Sequence, residues 1–179
     1  MLKYIYQDLL SVVRFLPGGV AMGAIISVAF FQAADKVHRG KERIAKGPAV
    51  PRAAVALFWI YFSVMLIITF FSRESGSRQG MDLELFSTWG INERNNAYVV
   101  ENVLLFIPYG FLSPWAFKVL RRFFRCGAFG FLTSLGIELL QLATQRGYFQ
   151  IDDILTNGLG TIIGYLFFRL SVMIMRRKR

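Results

Sequence analysis

Five apolar runs, at roughly 15–34, 53–71, 97–117, 124–143 and 154–172, take up most of this 179-residue chain. A run of about 20 mainly apolar residues crosses the ~30 Å hydrocarbon core of a bilayer as one helix. In hydrocarbon every backbone N–H and C=O must find a partner within the protein, which restricts spanning segments to helices or a closed barrel. Continuous runs of this length, without two-residue alternation, select helices. The expected architecture is therefore all-α: a polytopic membrane helical bundle of about five transmembrane helices, forming a single domain over 1–179.

Composition and charge placement sharpen that expectation. The chain is 55% hydrophobic and 16% aromatic, above the roughly 45–50% apolar content of soluble domains. Its net charge of +10 does not form the basic stripe that nucleic acid requires, so no nucleic acid partner is expected. The cations lie instead in clusters between apolar runs. Lys36, Arg39, Lys41, Arg43, Lys46 and Arg52 follow the first run, Lys118, Arg121, Arg122 and Arg125 follow the third, and Arg176, Arg177, Lys178 and Arg179 end the chain. The alternate connections carry only Lys3, Arg14, Arg73, Arg78, Arg94 and Arg146. Because basic loops stay cytoplasmic, the N-terminus is expected outside and the C-terminus in the cytoplasm. Asp8 and Arg14 split the N-terminal segment, and no small-residue cleavage site follows the first long apolar run, which makes it a poor signal peptide. The lone Cys126 rules out an intramolecular disulfide and reads as a small apolar residue.

Residues 1–14 mix apolar and charged side chains, which suits a short interfacial helix or an outward extension of the first span. The segment 72–96 is the longest connection on the external side. Its Leu83, Leu85, Phe86 and Trp89 favour tucking back onto the bilayer surface or capping the bundle. Gly19 and Gly23, like Gly160 and Gly164, have the small-xxx-small spacing that lets helix backbones approach closely. Pro108-Tyr109-Gly110 and Ser113-Pro114 predict a kink or a short unwound stretch in the third span.

Polar residues in three of the spans share one depth. Glu101 and Asn102 lie about one turn into the third span, and Glu138 and Gln141 lie near the external end of the fourth. Their i, i+3 spacing places Glu138 and Gln141 on one helical face. Asp152 and Asp153 begin the fifth span, with Asn157 one turn further in, and Arg146 in the short loop before it is the nearest cation. A carboxylate in hydrocarbon is costly unless paired or facing water, so these positions are candidate pocket residues on the external side. Plainer roles stand beside that reading. Asp152 or Asp153 suits a helix N-cap, and Gln141 and Asn157 suit hydrogen bonds between helices. Glu138 has no cation within a turn of its own helix, so it is protonated, paired across helices or exposed to a water-filled pocket.

The same residues carry a family resemblance. Asn102 to Leu112, with Phe106, Pro108, Gly110 and Phe111, resembles the Asn-x-x-x-Phe-x-Pro-x-Gly-Phe-Leu signature of the VanZ-like membrane proteins. Ile137-Glu138-Leu139-Leu140-Gln141 resembles their Ile-Glu-x-x-Gln motif. Asp153, Asn157, Gly160, Gly164 and Tyr165 are similar to their Asp-x-x-x-Asn-x-x-Gly-x-x-x-Gly-Tyr motif. One element departs: where relatives often show Leu-x-Pro-Phe, this chain has Asp82-Leu83-Glu84-Leu85-Phe86 without proline. The resemblance implies a multi-pass protein of a bacterial plasma membrane, in a family whose namesake is associated with resistance to glycopeptides, teicoplanin especially.

Three functions compete. The leading one is an outer-leaflet protein that binds or remodels a lipid-linked cell-wall precursor or a lipoglycopeptide, with membrane lipids as its surroundings. The alternative is a membrane-embedded, carboxylate-dependent hydrolase or transferase acting on a lipid headgroup. Glu101 and Glu138 would serve as acid and base, and Asp152 and Asp153 could offer oxygen ligands to a divalent cation. No His lies in any span and no Gly-x-Ser-x-Gly or His-Glu-x-x-His occurs, so neither a cofactor nor a dedicated metal centre is expected. A transporter is the third reading, weakened by the lack of a detectable inverted repeat. The topology itself has a direct test. In cells, Arg146→Cys should react with a membrane-impermeant maleimide applied from outside, whereas Arg122→Cys should react only after permeabilisation; the reverse pattern would invert the assignment.

Overall fold

The computed structural model describes residues 1–39, 51–71, 76 and 80–177, so the expectations that rest on Lys41, Arg43, Lys46, Arg73, Arg78, Lys178 and Arg179 lie outside the described residues. The elements are α1 (Leu2–Val13), α2 (Leu16–Arg39), α3 (Arg52–Phe71), β1 (Met81–Asp82), α4 (Glu93–Ala116), a 3₁₀ turn (Lys118–Arg121), α5 (Phe123–Ala143), β2 (Phe149–Gln150) and α6 (Ile151–Arg177). Five of these helices, α2 to α6, are long and apolar enough to cross a membrane. The protein is thus a multi-pass, all-α membrane bundle.

Several helices begin earlier or end later than their apolar runs. Asn92 caps α4 by accepting the Asn95 N–H on its side-chain oxygen at 2.8 Å, which satisfies one of the first-turn donors and lets Glu93 to Asn96 join the helix. The acidic pair Asp152 and Asp153 falls inside the first turn of α6, where the helix dipole favours negative charge. At 27 residues, α6 is about 40 Å long, more than the ~30 Å hydrocarbon core. Its basic last turn therefore extends past the apolar stretch.

α1 is a separate helix, interrupted from α2 at Arg14 and Phe15, and it buries none of its own residues. It is held electrostatically to the start of α4. Arg94 places its two Nη groups 2.9 and 3.1 Å from the carboxylate oxygens of Asp8 and donates from Nε to the Tyr98 hydroxyl at 3.0 Å. The same guanidinium lies over the rings of Tyr4 and Tyr98, 5.3 and 4.7 Å from their centroids. The Met1 amine also meets Glu93 Oε2 at 2.7 Å, but this pair is exposed and adds little.

Glycine sets the helix contacts. A Cβ at Gly160 would collide with the Val103 carbonyl oxygen, one at Gly164 with the Ile107 carbonyl oxygen, and one at Gly110 with the backbone of Thr161. The α4 and α6 backbones therefore touch along two turns, and Gly130 of α5 closes on the Thr161 side chain from the other side. Gly19 and Gly23 play the same part between α2 and α3, against Val64 and Ile60. These spacings serve packing within the chain.

Of the two expectations for the third span, a kink or an unwound stretch, the unwound stretch does not occur: α4 stays helical through Pro108 and Pro114. Pro114 has no N–H to offer the Gly110 carbonyl, and the thiol of buried Cys126 approaches that oxygen instead at 3.9 Å. Tight packing on α5 and α6 supplies the surroundings in which a proline is tolerated at membrane depth. Around Tyr109 an aromatic core has formed, with Phe58, Phe62, Phe106 and Phe129 ring centroids 5.3–6.2 Å away. Tyr109 is fully buried and shares a 2.6 Å hydrogen bond with Thr133.

Because overpacking a tight contact costs about 1–3 kcal/mol, Gly164→Ala should lower thermal stability in detergent. Gly127→Ala, at a helical position where a Cβ meets nothing within 4 Å, should leave stability unchanged or raise it by about 0.5–1 kcal/mol. Equal melting temperatures for the two variants would show that the α4 and α6 contact is not tight.

Candidate functional site

The polar residues predicted for one pocket occupy the end of the bundle where α4 and α6 begin and α5 ends, but they fall into three separate settings. The first surrounds Asp152, which is 6% exposed. Its Oδ1 accepts the Phe86 N–H at 2.7 Å and its Oδ2 accepts the Thr88 N–H at 2.9 Å. Charge-assisted bonds to both oxygens hold the loop between β1 and α4 down on the N-terminus of α6. Asp82 shapes the same loop from within, accepting the Glu84 N–H at 3.1 Å and the Ser87 hydroxyl at 2.7 Å. Phe86 has a φ of +61°, a left-handed conformation uncommon for a bulky residue, at the very amide that Asp152 holds. Gly80 O accepts the Phe149 N–H at 3.1 Å, and the parallel pairing of β1 with β2, Met81 with Phe149 and Asp82 with Gln150, ties the loop to the α5–α6 connection.

The second setting lies between α5, α6 and the end of α3. Glu138 is 2% exposed and Gln141 is 1% exposed. Glu138 Oε2 accepts the Gln150 N–H at 3.0 Å, so its carboxylate supports the turn that leads into α6. Gln141 Nε2 donates to the Thr69 carbonyl at 3.2 Å, and Arg146 Nη1 donates to the Phe70 carbonyl at 3.0 Å. Both side chains therefore satisfy carbonyls at the C-terminus of α3, where a cation also meets the negative end of the helix dipole. The Arg146 N–H in turn donates to the Gln141 carbonyl at 2.9 Å, next to Gln145 in a left-handed conformation. Asn157 Nδ2 donates to the Ser134 hydroxyl at 2.8 Å. Its buried Oδ1 has no hydrogen-bond partner among the described residues. Asp153, also buried, lies one turn before Asn157 on the same face of α6.

The third setting belongs to Glu101. Arg94, Tyr98 and Glu101 recur on one face of α4, and that face meets Asp8 of α1. Glu101 is half-buried, with its carboxyl group against that of Asp8. Asn102 is half-buried one turn before Phe106 on α4. Glu101 and Glu138 are thus engaged by different elements, α1 for one and the β2 backbone for the other. Among the described residues, no cluster of three His, Cys, Asp or Glu side chains could hold a metal ion, and both carboxylate oxygens of Asp152 already serve backbone amides.

A groove of about 550 Å³ lies between α4 and α6, walled by Val99, Val103, Leu155 and Leu159 and roofed by Phe86 and Trp89 of the pinned loop; of the predicted polar residues, Asp152 lines it. Its walls are apolar, with Asp152 at the start of α6 and Thr156 next to Leu155 as the polar lining. The wall residues of α6 lie four to eight positions after Ile151, or about 6–12 Å along the helix, within the half of a bilayer that adjoins this end.

Sequence reasoning missed Asp8, Arg94, Asp82 and Ser134. Asp82 carried a legible signal, an Asx residue opening a short irregular stretch. The pairing of Asp8 with Arg94, 86 positions apart, carried none.

The sequence model of the VanZ/LLP1 family matches residues 58–174. A curated relative, Protein VanZ of Enterococcus faecium, is 27% identical over 125 residues, covering 70% of this chain and 71% of that protein. No solved structure matches at a significant level. The matched region begins inside α3 and holds the pinned loop, α4, α5 and nearly all of α6, whereas α1 and α2 lie outside it. With about two thirds of its length matched, including both motif-bearing settings, the chain belongs to the VanZ/LLP1 family of membrane proteins.

Proposed function

We propose that this protein works at the outer leaflet of a bacterial plasma membrane, N-terminus outside and C-terminus cytoplasmic, where it binds or remodels a lipid-linked wall precursor or a lipoglycopeptide. The observation that carries the reading is the roofed apolar groove beside a buried polar layer, both at the same end of the bundle. An amphiphile with a hydrocarbon tail and a polar head needs that pairing: an apolar wall at bilayer depth and polar groups close to the surface. Glu101, Asn102, Glu138, Gln141, Asp153 and Asn157 supply the polar layer, with Arg146 and Asp152 holding the surrounding elements in place. The association of the family's namesake with teicoplanin resistance supports an effect on glycopeptide susceptibility. A hydrolase built on Glu101 and Glu138 draws less support, since the two carboxylates engage different elements.

Expression in a susceptible Gram-positive host tests the proposal. The wild-type chain should raise the inhibitory concentration of teicoplanin, and Glu138→Gln, Asn102→Ala and the groove-filling Leu159→Trp should each abolish that protection at equal protein levels. Full protection by all three variants would sink the reading. Asp152→Ala removes the acceptor of two loop amides, so limited proteolysis within 83–91 should become several-fold faster in purified protein; an unchanged cleavage rate would show that the roof is held by other contacts.

A further inference from the structure

The opposite end of the bundle carries a second built feature. Tyr165 of α6, 4% exposed, donates its hydroxyl proton to the Arg121 carbonyl at 2.8 Å, which ties the 3₁₀ turn onto α6. Arg121 in turn donates from Nε to the Pro114 carbonyl at 3.2 Å, one of the last carbonyls of α4. That bond fixes the guanidinium plane, while its two Nη groups meet no hydrogen-bond partner among the described residues. Arg121 lines a half-open cleft of about 1130 Å³ between the end of α4 and the last turns of α6. Arg121, Arg169, Arg176 and Arg177 line it together with Trp115 and Phe168, whose rings meet edge to face with centroids 5.2 Å apart. Among the described residues, no carboxylate lines the cleft. None of its arginines forms an ion pair among the described residues, whereas Arg52 at the same end is already engaged by Asp35 at 3.0 Å.

We propose that this cleft is a binding site for an anionic phospholipid of the leaflet adjoining the C-terminal end of α6. A phosphodiester sits in the fork of Arg121 with Arg169 beside it, and an acyl chain runs along Trp115, Val172 and the exposed Met173. The fork geometry suits a phosphate with two acceptor oxygens. The apolar wall and the position at a span's end favour a lipid over a soluble phosphate compound, as do basic pockets between spanning helices generally. This site lies at the other end of the bundle from the groove and does not depend on the function proposed for it.

Native mass spectrometry of the full chain in detergent, with equimolar phosphatidylglycerol and phosphatidylcholine, is the test. The wild type should retain phosphatidylglycerol preferentially. Arg121→Gln with Arg169→Gln should lower that retention about tenfold or more, as expected for losing two charge-assisted contacts. Arg122→Gln with Arg125→Gln removes the same charge from the same end outside the cleft and should leave retention within about twofold of wild type. An equal loss in both pairs would reduce the effect to general electrostatics and overturn the site. Competition by soluble glycerol phosphate as effective as phosphatidylglycerol itself would overturn the lipid as occupant. If the first pair impairs folding, Arg169→Gln alone, an exposed side chain with no hydrogen bond in the described structure, should still lower retention several-fold, and an unchanged value would overturn the proposal.

Discussion

The contact between the α4 and α6 backbones is the constraint on which the remaining structure depends. Gly110, Gly160 and Gly164 lack the Cβ atoms that would hold these helices apart, and Thr161 sits where α4, α5 and α6 meet. In a bilayer no hydrophobic force drives one apolar helix onto another, because lipid tails are as apolar as leucine; close van der Waals packing and buried hydrogen bonds do that work. The contact sets the angle and depth at which Asp152 and Asp153 emerge at the start of α6. It also leaves room on one flank for the groove walled by Val99, Val103, Leu155 and Leu159.

On that frame the buried acids and amides act largely as caps. Glu138 accepts a backbone N–H of β2, Asp152 accepts two from the loop, and Gln141 and Arg146 donate to the last carbonyls of α3. Each bond meets a need created where a helix ends or a loop folds back inside an apolar protein, since an unpaired buried backbone group costs about as much as a lost hydrogen bond. The outcome is a loop pinned over an apolar groove. The unpartnered Oδ1 of Asn157 is a place where polar capacity exceeds the caps' demand among the described residues.

The two ends of the bundle have different chemistry. Acids, amides and the pinned loop gather at the start of α4 and α6, and arginines with aromatic walls gather at their other end. That polarity follows from how a helical membrane protein is oriented, with cations retained on one side.

The fold was legible because its determinants are local. A long apolar run must satisfy its own backbone, and only a helix does so within one segment; hence α2 to α6 were foreseen, and only their ends shifted, where Asn92 or the acidic first turn of α6 extended them. The glycine spacings were likewise legible as close-approach positions. Which polar group meets which partner was not. Asp152 binds amides 66 and 64 positions away, and Glu101 faces Asp8 on a helix outside the family match. The amino-acid sequence alone determined the five long apolar helices and the polar positions within them, because hydrophobicity and backbone hydrogen bonding act within a segment. Only the tertiary structure decided that those residues divide among three settings beside an apolar groove, because a hydrogen bond is directional and short, and its partners are chosen by how whole helices pack.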